Sequence, residues 1–390
     1  MTYVTAGAGH RRAAEALAQA AAAAHPSATV ECVDVLTYAP RWFHAGYAWT
    51  YLFLVRHVPW VWQVSYGLLD HGLCYTLVQP VRRLWNLWIA RRFTAWLKAA
   101  QPDVILTTHF LPADVASAGK AAGWLRSALV VVVTDLYPHR FWISREPEAF
   151  VVSTPESAAA LERRGVPRER IAVLGIPIAR AFAVTIWDAF ACPADRDALR
   201  ARFGLDAGGQ TVLVTSGGTT VGQFERVVKE LLALGESLSG RLQLLVVCGE
   251  DKGARARLEA RARSSATRLT VFGFVDFMAD LMAVSDLIVA KAGGLTVSEA
   301  LGRAVPVILY HVIPGQEQMN ARYLAEHGAG VIATRPADVV RAVRSLIDHP
   351  ERLAAMAEAA KRISRPNAAE DIASQVIGPL LLASPRREVH

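Results

Sequence analysis

The chain has 390 residues, 53% of them hydrophobic and 20% charged, with a mean hydropathy of +0.24. That composition can fill two large cores and excludes a disordered or fibrous chain; the only polar tail is Ser384 to His390. The net charge of +7 is concentrated, because Leu36 to Pro102 holds Arg41, Arg56, Arg82, Arg83, Arg91, Arg92 and Lys98 against the single acid Asp70, a local excess of +6. Such a patch suits nucleic acid or an anionic membrane.

Tyr3–Thr5 reads as a strand running into a Gly-rich turn, followed by a helix from about Arg11 to Ala24. That helix has two arginines before its alanines, but Glu15 and Gln19 interrupt it, so it does not read as a secretion signal. Val30–Val33 is a second strand. Asp103–Thr108 and Leu129–Thr134 are continuous apolar runs, as expected of strands buried on both faces of a parallel sheet. Val151–Ser153 and Ile171–Leu174 complete the set.

From Thr211 the pattern restarts. Strands are predicted at Thr211–Thr215, Leu242–Val247, Leu269–Phe272, Leu287–Ala290 and Val305–Leu309. Helices are predicted at Gln223–Leu234, Lys252–Ala262, Thr296–Gly302 and Gln316–Glu326. Two successive strand–helix alternations imply two doubly wound α/β domains. The expected boundaries are 1–176, 177–365 and a C-terminal helix and tail at 366–390 that could pack back on the first domain, with a linker over Ile176–Pro193. No short-period repeat is visible. Cys32, Cys74, Cys192 and Cys248 are far apart and form no metal-binding pattern, which points to a reducing compartment.

Seven of the ten tryptophans (42, 49, 60, 62, 85, 88 and 96) fall in the basic stretch. Its longest charge-free run, Gly46–Val55, is too short for the about 20 residues that span a bilayer. At about 100° per residue, Trp85, Trp88 and Trp96 share an arc of about 80° that Arg92 joins, while Arg83, Arg91 and Lys98 point elsewhere. Tryptophan and arginine on one helix suit the headgroup layer of an anionic membrane; the alternative is a core helix with a charged rim. Nucleic acid is disfavoured, because no binding fold or RNA motif accompanies the patch.

Four loops carry the chemistry. Gly7-Ala8-Gly9-His10 follows the first strand and opens a helix; Arg12 stands where a dinucleotide fingerprint needs its third glycine. What remains is a histidine at a positive helix end, which favours the neutral base form, or a capping histidine. Ser216-Gly217-Gly218-Thr219-Thr220-Val221-Gly222 lets backbone N–H groups approach a phosphate. Lys291-Ala292-Gly293-Gly294-Leu295-Thr296-Val297-Ser298-Glu299 places glycines and a hydroxyl at a helix start, with a carboxylate one turn in that suits a ribose. Pro314-Gly315-Gln316-Glu317-Gln318-Met319-Asn320 offers an amide and an acid for sugar hydroxyls. Together the last two describe a nucleotide-sugar site.

KAGGLTVSEA followed by PVILYHVIPGQEQMNA resembles the processive diacylglycerol glucosyltransferases and the monogalactosyldiacylglycerol synthases. More distantly it is similar to the peptidoglycan lipid-intermediate N-acetylglucosaminyltransferase. GAGHRRAAEAL, VVTDLYPHRFW, VLGIPI, VVCGED and VFGFV extend the resemblance from Val4 to about Gly330. It implies a GT-B fold, two Rossmann-like domains facing an interdomain cleft, with a UDP-sugar on the second. By that resemblance Gly217, Gly218, Gly293, Gly294 and Thr296 line the diphosphate, Gly249 and Phe274 lie near the uracil, and Glu299 holds the ribose. Gln316 and Glu317 would hold the sugar, and Asn320 belongs to the same nucleotide-sugar site. His10, beside Gly9, is the acceptor-side base, and Trp85, Trp88, Arg91 and Arg92 face the membrane. The galactolipid synthases carry an acid two residues before the first loop glycine, where this chain has Thr5; Asp135 and His109 become the candidates to assist His10, with Asp135 the rival for the base itself.

The resulting expectation is an inverting, metal-independent hexosyltransferase acting from UDP-glucose or UDP-galactose on diacylglycerol or a glycosylated form. It would be peripheral on the cytoplasmic face of a membrane, with no cofactor besides the UDP-sugar substrate. A transferase acting on a polyprenyl-diphosphate lipid, a UDP-sugar epimerase and a non-catalytic lipid- or nucleotide-binding protein remain the alternatives.

Overall fold

A computed structural model describes residues 1–5, 7–183, 193–215, 217 and 223–383. Gly218, Trp187, Cys192 and half of the expected linker lie outside the described residues. The chain divides into two compact units, one formed by Met1–Ala179, Pro314–Gln316 and Asn367–His390, the other by Arg180–Ile313 and Glu317–Pro366.

The first unit opens with β1 (Thr2–Tyr3), α1 (Ala8–Ala24) and β2 (Val33–Asp34). Four consecutive helices follow: α2 (Arg41–His57), α3 (Pro59–Asp70), α4 (Gly72–Ile89) and α5 (Arg91–Ala100). The alternation then resumes with β3 (Val104–Thr107), α6 (Phe110–Ala121), β4 (Ala128–Val132), β5 (Ala149–Val152), α7 (Pro155–Arg163) and β6 (Ile171–Val173). All six strands are parallel, in the order β2-β1-β3-β4-β5-β6.

Period-two alternation sorts the side chains of this sheet. Ile105 and Leu129 pack with Phe93, Leu97, Leu111 and Val115 on one face. Leu106, Val130 and Val132 pack with Leu17 and Ala21 on the other. Both faces are covered, which is why these strands read as unbroken apolar runs.

The second unit begins with α8 (Pro193–Arg202), β7 (Gln210–Thr215), α9 (Phe224–Ser237), β8 (Leu242–Val247), α10 (Lys252–Ala262) and β9 (Arg268–Phe272). Then come α11 (Met278–Ala283), β10 (Leu287–Ala290), α12 (Gly294–Gly302), β11 (Val307–Tyr310), α13 (Gln316–Glu326) and β12 (Gly330–Ala333). The sequence pattern misses β12, an edge strand whose Ile332 is exposed. α14 (Pro336–Asp348) and α15 (Pro350–Ile363) close the unit, and its sheet is parallel in the order β12-β11-β10-β7-β8-β9. Val212, Leu244, Val246, Val289 and Ile308 pack there with Val227, Leu231, Val339 and Val343 of α9 and α14.

α16 (Ala368–Ile372) and α17 (Gly378–Ala383), joined by a π-helical turn, belong to the first unit. Ile372, Ala373, Val376 and Ile377 fill the α1 face of its sheet, and the Ala373 carbonyl lies 3.1 Å from His25 Nε2.

The insertion α2–α5 is built against the ordinary rule. In α4, Tyr75, Arg82, Asn86 and Ile89 fall within an arc of about 60° and face inward. Arg82 Nη2 donates to Asp114 Oδ1 of α6 at 3.1 Å and to Tyr75 Oη at 3.1 Å, and Asn86 Nδ2 donates to Asp114 Oδ2 at 2.7 Å. The Arg82 guanidinium lies 4.6 Å over the Phe141 ring. The opposite face, with Leu73, Leu77, Val81, Leu84 and Trp88, is apolar and exposed, Leu77 by 71%. Polar side in and apolar side out is the inverse of a water-facing helix.

The helix ends at Ala90, so the expected single helix through Trp96 is broken there. Trp96 turns to the core, stacked on Phe93 at 5.7 Å, which removes it from the exposed set. Trp85 and Trp88 stay exposed and meet Trp42 of α2 at 6.4 and 6.2 Å. The core-helix alternative therefore holds for Trp96 alone of the three. Among the described residues no helix is long and apolar enough to cross a membrane.

Asp114→Ala should destabilise the first unit by about 3–5 kcal/mol, because it strands the Arg82 charge in a nearly dry site. Arg82→Met with Asp114→Leu should cost far less. Urea denaturation followed by tryptophan fluorescence reads this unit, since nine of the ten tryptophans precede Ala179. A loss below about 1 kcal/mol in the single variant would show the pair to be solvated.

Candidate functional site

Open parallel sheets bind ligands outside the carboxyl ends of their strands, where the strand order reverses. In the first sheet that point lies between β1 and β3, and His10 stands in it. Its Nδ1 lies 2.7 Å from the Thr108 carbonyl and 3.0 Å from Thr134 Oγ1. Thr108 Oγ1 donates back to the His10 carbonyl at 2.9 Å. A carbonyl can only accept, so Nδ1 carries the proton and Nε2 keeps a lone pair. Burial lowers the imidazole pKa to about 4, against the opposing effect of the Thr108 bond.

Two residues that the sequence reading left unassigned, Thr108 and Thr134, thus orient the histidine. Their signal was present: each is a hydroxyl residue at the carboxyl end of a buried strand.

His109 is buried and caps α6, its Nδ1 accepting the Leu111 N–H at 3.1 Å. That engagement takes the lone pair a base would need, and its Nε2 faces Tyr47 Oη at 3.4 Å. Burial, then the neighbouring His10 and Arg82, holds its pKa well below the usual histidine value. The two imidazoles meet edge to face at 4.8 Å. Asp135 follows Thr134 directly and is buried, its carbonyl accepting from Ser153 Oγ at 3.3 Å. Gly9 is the second residue of α1, immediately before His10. At the position of the family's acid, Thr5 Oγ1 donates to Asp34 Oδ2 at 2.6 Å, so a carboxylate reaches that place from the neighbouring strand.

In the second sheet the order reverses between β7 and β10. Gly217 follows β7 with φ +83°, a left-handed conformation that favours glycine. A side chain built on it would meet Lys291 Cε at 3.6 Å, so the β7 and β10 loops converge. Gly293 caps α12 without a side-chain cap, which leaves the first N–H groups at Gly294, Leu295 and Thr296 without intrahelical partners and gives the helix start a positive end. Glu299 is buried in this helix, one turn further on.

Lys291 Nζ lies 3.8 Å from Glu317 Oε1. Glu317 is itself buried; its Oε2 accepts the Ile313 N–H at 3.0 Å and the carboxylate also takes a backbone bond from Ala292. Burial raises its pKa, with Lys291 opposing. Asn320 is fully buried and donates to the Ala292 carbonyl at 2.8 Å. Glu317 and Asn320 therefore pin the β10 loop to α13, while Gln316 opens that helix.

Gly249 follows β8 with φ +59°. Its carbonyl lies 3.6 Å from a side chain built on Gly273, which brings the β8 and β9 loops together and sets Phe274, 54% exposed, beside them. His311, which the sequence reading did not assign, ends β11 at φ +53°, with its pKa lowered by burial and then by Lys291. Its signal is its place just after a buried strand, the same signal that marks Asp135. Trp85 and Trp88 lie on the exposed face of α4, and Arg91 and Arg92 are exposed at the start of α5. Among the described residues no group of three or more His, Cys, Asp or Glu could hold a metal ion.

Residues 10–178 match the monogalactosyldiacylglycerol (MGDG) synthase family, and residues 211–376 match the glycosyltransferase family 28 C-terminal domain. A processive diacylglycerol beta-glucosyltransferase of Bacillus cereus is 30% identical over 288 residues, covering 74% of this chain and 70% of that protein. Among solved structures, MurG of Acinetobacter baumannii superposes with a TM-score of 0.64 at 15% identity, over 97% of this chain and 98% of that one. The UDP-GlcNAc 2-epimerase of Neisseria meningitidis, bound to UDP-GlcNAc, gives a TM-score of 0.57 at 16% identity, over 74% and 79%. These likenesses concern the fold, and the expected GT-B fold of two doubly wound units holds. With its two reversal points, its four motif-bearing loops and these relatives, the chain belongs to the family of the monogalactosyldiacylglycerol synthases and processive diacylglycerol glucosyltransferases, within glycosyltransferase family 28.

Proposed function

We propose that the protein is an inverting transferase that moves glucose or galactose from a UDP-sugar to diacylglycerol or a glycosyl-diacylglycerol, working as a peripheral protein on the cytoplasmic face of a membrane. The observation that carries this reading is the inverted helix α4, an apolar face offered to the outside in the same unit as His10. Its relative in Bacillus cereus is named for diacylglycerol, the kind of acceptor such a face would admit.

In this mechanism His10 Nε2 takes the proton of the acceptor hydroxyl as its oxygen attacks the anomeric carbon. The bond to UDP breaks with its electron pair on the departing phosphate, and one displacement inverts the centre. The start of α12 at Gly293, Gly294 and Thr296, the Gly217–Gly218 loop and Lys291 stabilise the diphosphate. Glu299 holds the ribose, Gly249 and Phe274 flank the base, and Gln316 meets the sugar, with Glu317 and Asn320 keeping that loop in place. Trp42, Trp85, Trp88, Arg91 and Arg92 hold the first unit on an anionic surface.

Incubation with vesicles, diacylglycerol and a panel of UDP-sugars tests the whole reading. A hexosyl-diacylglycerol is the expected product. Sugar found only on a polyprenyl-diphosphate lipid, or interconversion of UDP-sugars without acceptor, would replace it.

His10→Ala should cut turnover by about 10²–10⁴-fold with UDP affinity unchanged. Because the pKa is lowered to about 4, the base stays neutral from pH 7 down to that value. The acid limb of kcat/KM should therefore fall near pH 4 rather than near the ordinary histidine value of about 6.5. A dead Asp135→Asn beside an active His10→Ala would move the role to Asp135.

Glu299→Gln should weaken UDP binding by about 1.5–3 kcal/mol, read by calorimetry; unchanged affinity removes it from the site. Replacing Trp42, Trp85 and Trp88 with alanine should release the protein from anionic vesicles in co-sedimentation while UDP binding persists. Equal pelleting of variant and parent counts against membrane docking through this face.

A further inference from the structure

Helix α2 has two unlike sides. Trp42, Trp49 and Phe53 fall within an arc of about 40° at 100° per residue, and all three are exposed, Trp49 by 64%. Tyr47 points more than about 120° away from that stripe, packed with Phe43 against the core of the first sheet. Its hydroxyl lies 3.4 Å from His109 Nε2.

The protons of this contact can be assigned. Leu111 N–H is a donor, so His109 Nδ1 accepts, and in the neutral ring the proton must sit on Nε2. His109 Nε2–H therefore donates to Tyr47 Oη. Burial pushes the Tyr47 pKa up to about 12, so the group remains a hydroxyl across the physiological range. With both nitrogens engaged, His109 is held in one tautomer and one orientation, and its ring meets His10 edge to face. His10 is thus braced twice, by Thr108 and Thr134 at Nδ1 and by the His109 ring at its side.

We propose that Tyr47 is a positioning residue for His10, acting through His109, and that α2 thereby joins the exposed aromatic stripe to the base. The inference rests on His10 being the base. It gives the helical insertion a part in the chemistry beyond anchoring.

Tyr47→Phe keeps the ring and its packing and removes only the hydroxyl. The assay uses the full chain with dioleoylglycerol in phosphatidylglycerol-containing vesicles and UDP-glucose or UDP-galactose, whichever is turned over. The variant should keep the parental melting temperature and donor KM while kcat falls about tenfold, the equivalent of one neutral hydrogen bond. Slow hydrolysis of the UDP-sugar, with water as acceptor, should fall by the same factor, because the base serves both reactions. A loss confined to the lipid acceptor would overturn the route through His109 and make Tyr47 a lipid contact. Parental kcat in Tyr47→Phe with an inactive His10→Ala would overturn this inference alone; near-parental His10→Ala would overturn it together with the assignment of the base.

Discussion

Arg82 carries its charge into a nearly dry interior, where Asp114 and Tyr75 accept its N–H groups, Asn86 holds the other oxygen of Asp114, and aromatic rings lie against the guanidinium. A buried guanidinium left without its carboxylate would be prohibitively costly, so the pairing decides which side of α4 turns inward. Once that side is fixed, helical geometry leaves Leu73, Leu77, Val81, Leu84 and Trp88 with nowhere to go but outward. The same Arg82 lies over Phe110 and Phe141, whose rings continue to Trp142 and the two histidines. One ion pair therefore orients a surface and supports the wall of a polar site.

Each sheet repeats a second constraint. A parallel strand pair needs its crossover on one side, so a sheet that grows in both directions has one place where successive loops diverge. In the first sheet that place holds His10 with Thr108; in the second it holds Gly217 with Lys291 and the start of α12. The two places differ in chemistry although their geometry is alike. One offers a lone pair in a desolvated setting, the other a cation, N–H groups without intrahelical partners and a glycine at positive φ, and both follow from the short segments inserted at the reversal.

Much of this is legible in the amino-acid sequence alone. Buried parallel strands announce themselves as apolar runs, so DVILTT and LVVVVT located β3 and β4 to within a residue or two. His10 stood out because a Gly-rich turn opened its helix. The rest depended on long-range contacts that spacing along the chain does not encode. That Trp96 turns inward while Trp85 and Trp88 do not follows from the break at Ala90, which no proline or glycine marks. Glu317 and Asn320 read as part of the sugar site because they are polar and open a helix; that they also bond the backbone of Ile313 and Ala292 is invisible to pattern. The Asp34 carboxylate at Thr5 comes from 29 residues away, and only the pairing of β1 with β2 brings it there.

In the proposed mechanism, the depressed pKa of His10 would also set the timing of the proton transfer. An imidazole whose conjugate acid has a pKa near 4 is too feeble to strip an aliphatic alcohol before reaction. The hydroxyl proton can move only as the new carbon–oxygen bond forms and the alcohol oxygen turns positive, so attack and proton transfer share one barrier. The imidazolium left behind is, at neutral pH, a strong acid, and it sheds its proton to solvent or to the departing diphosphate without a slow recharging step.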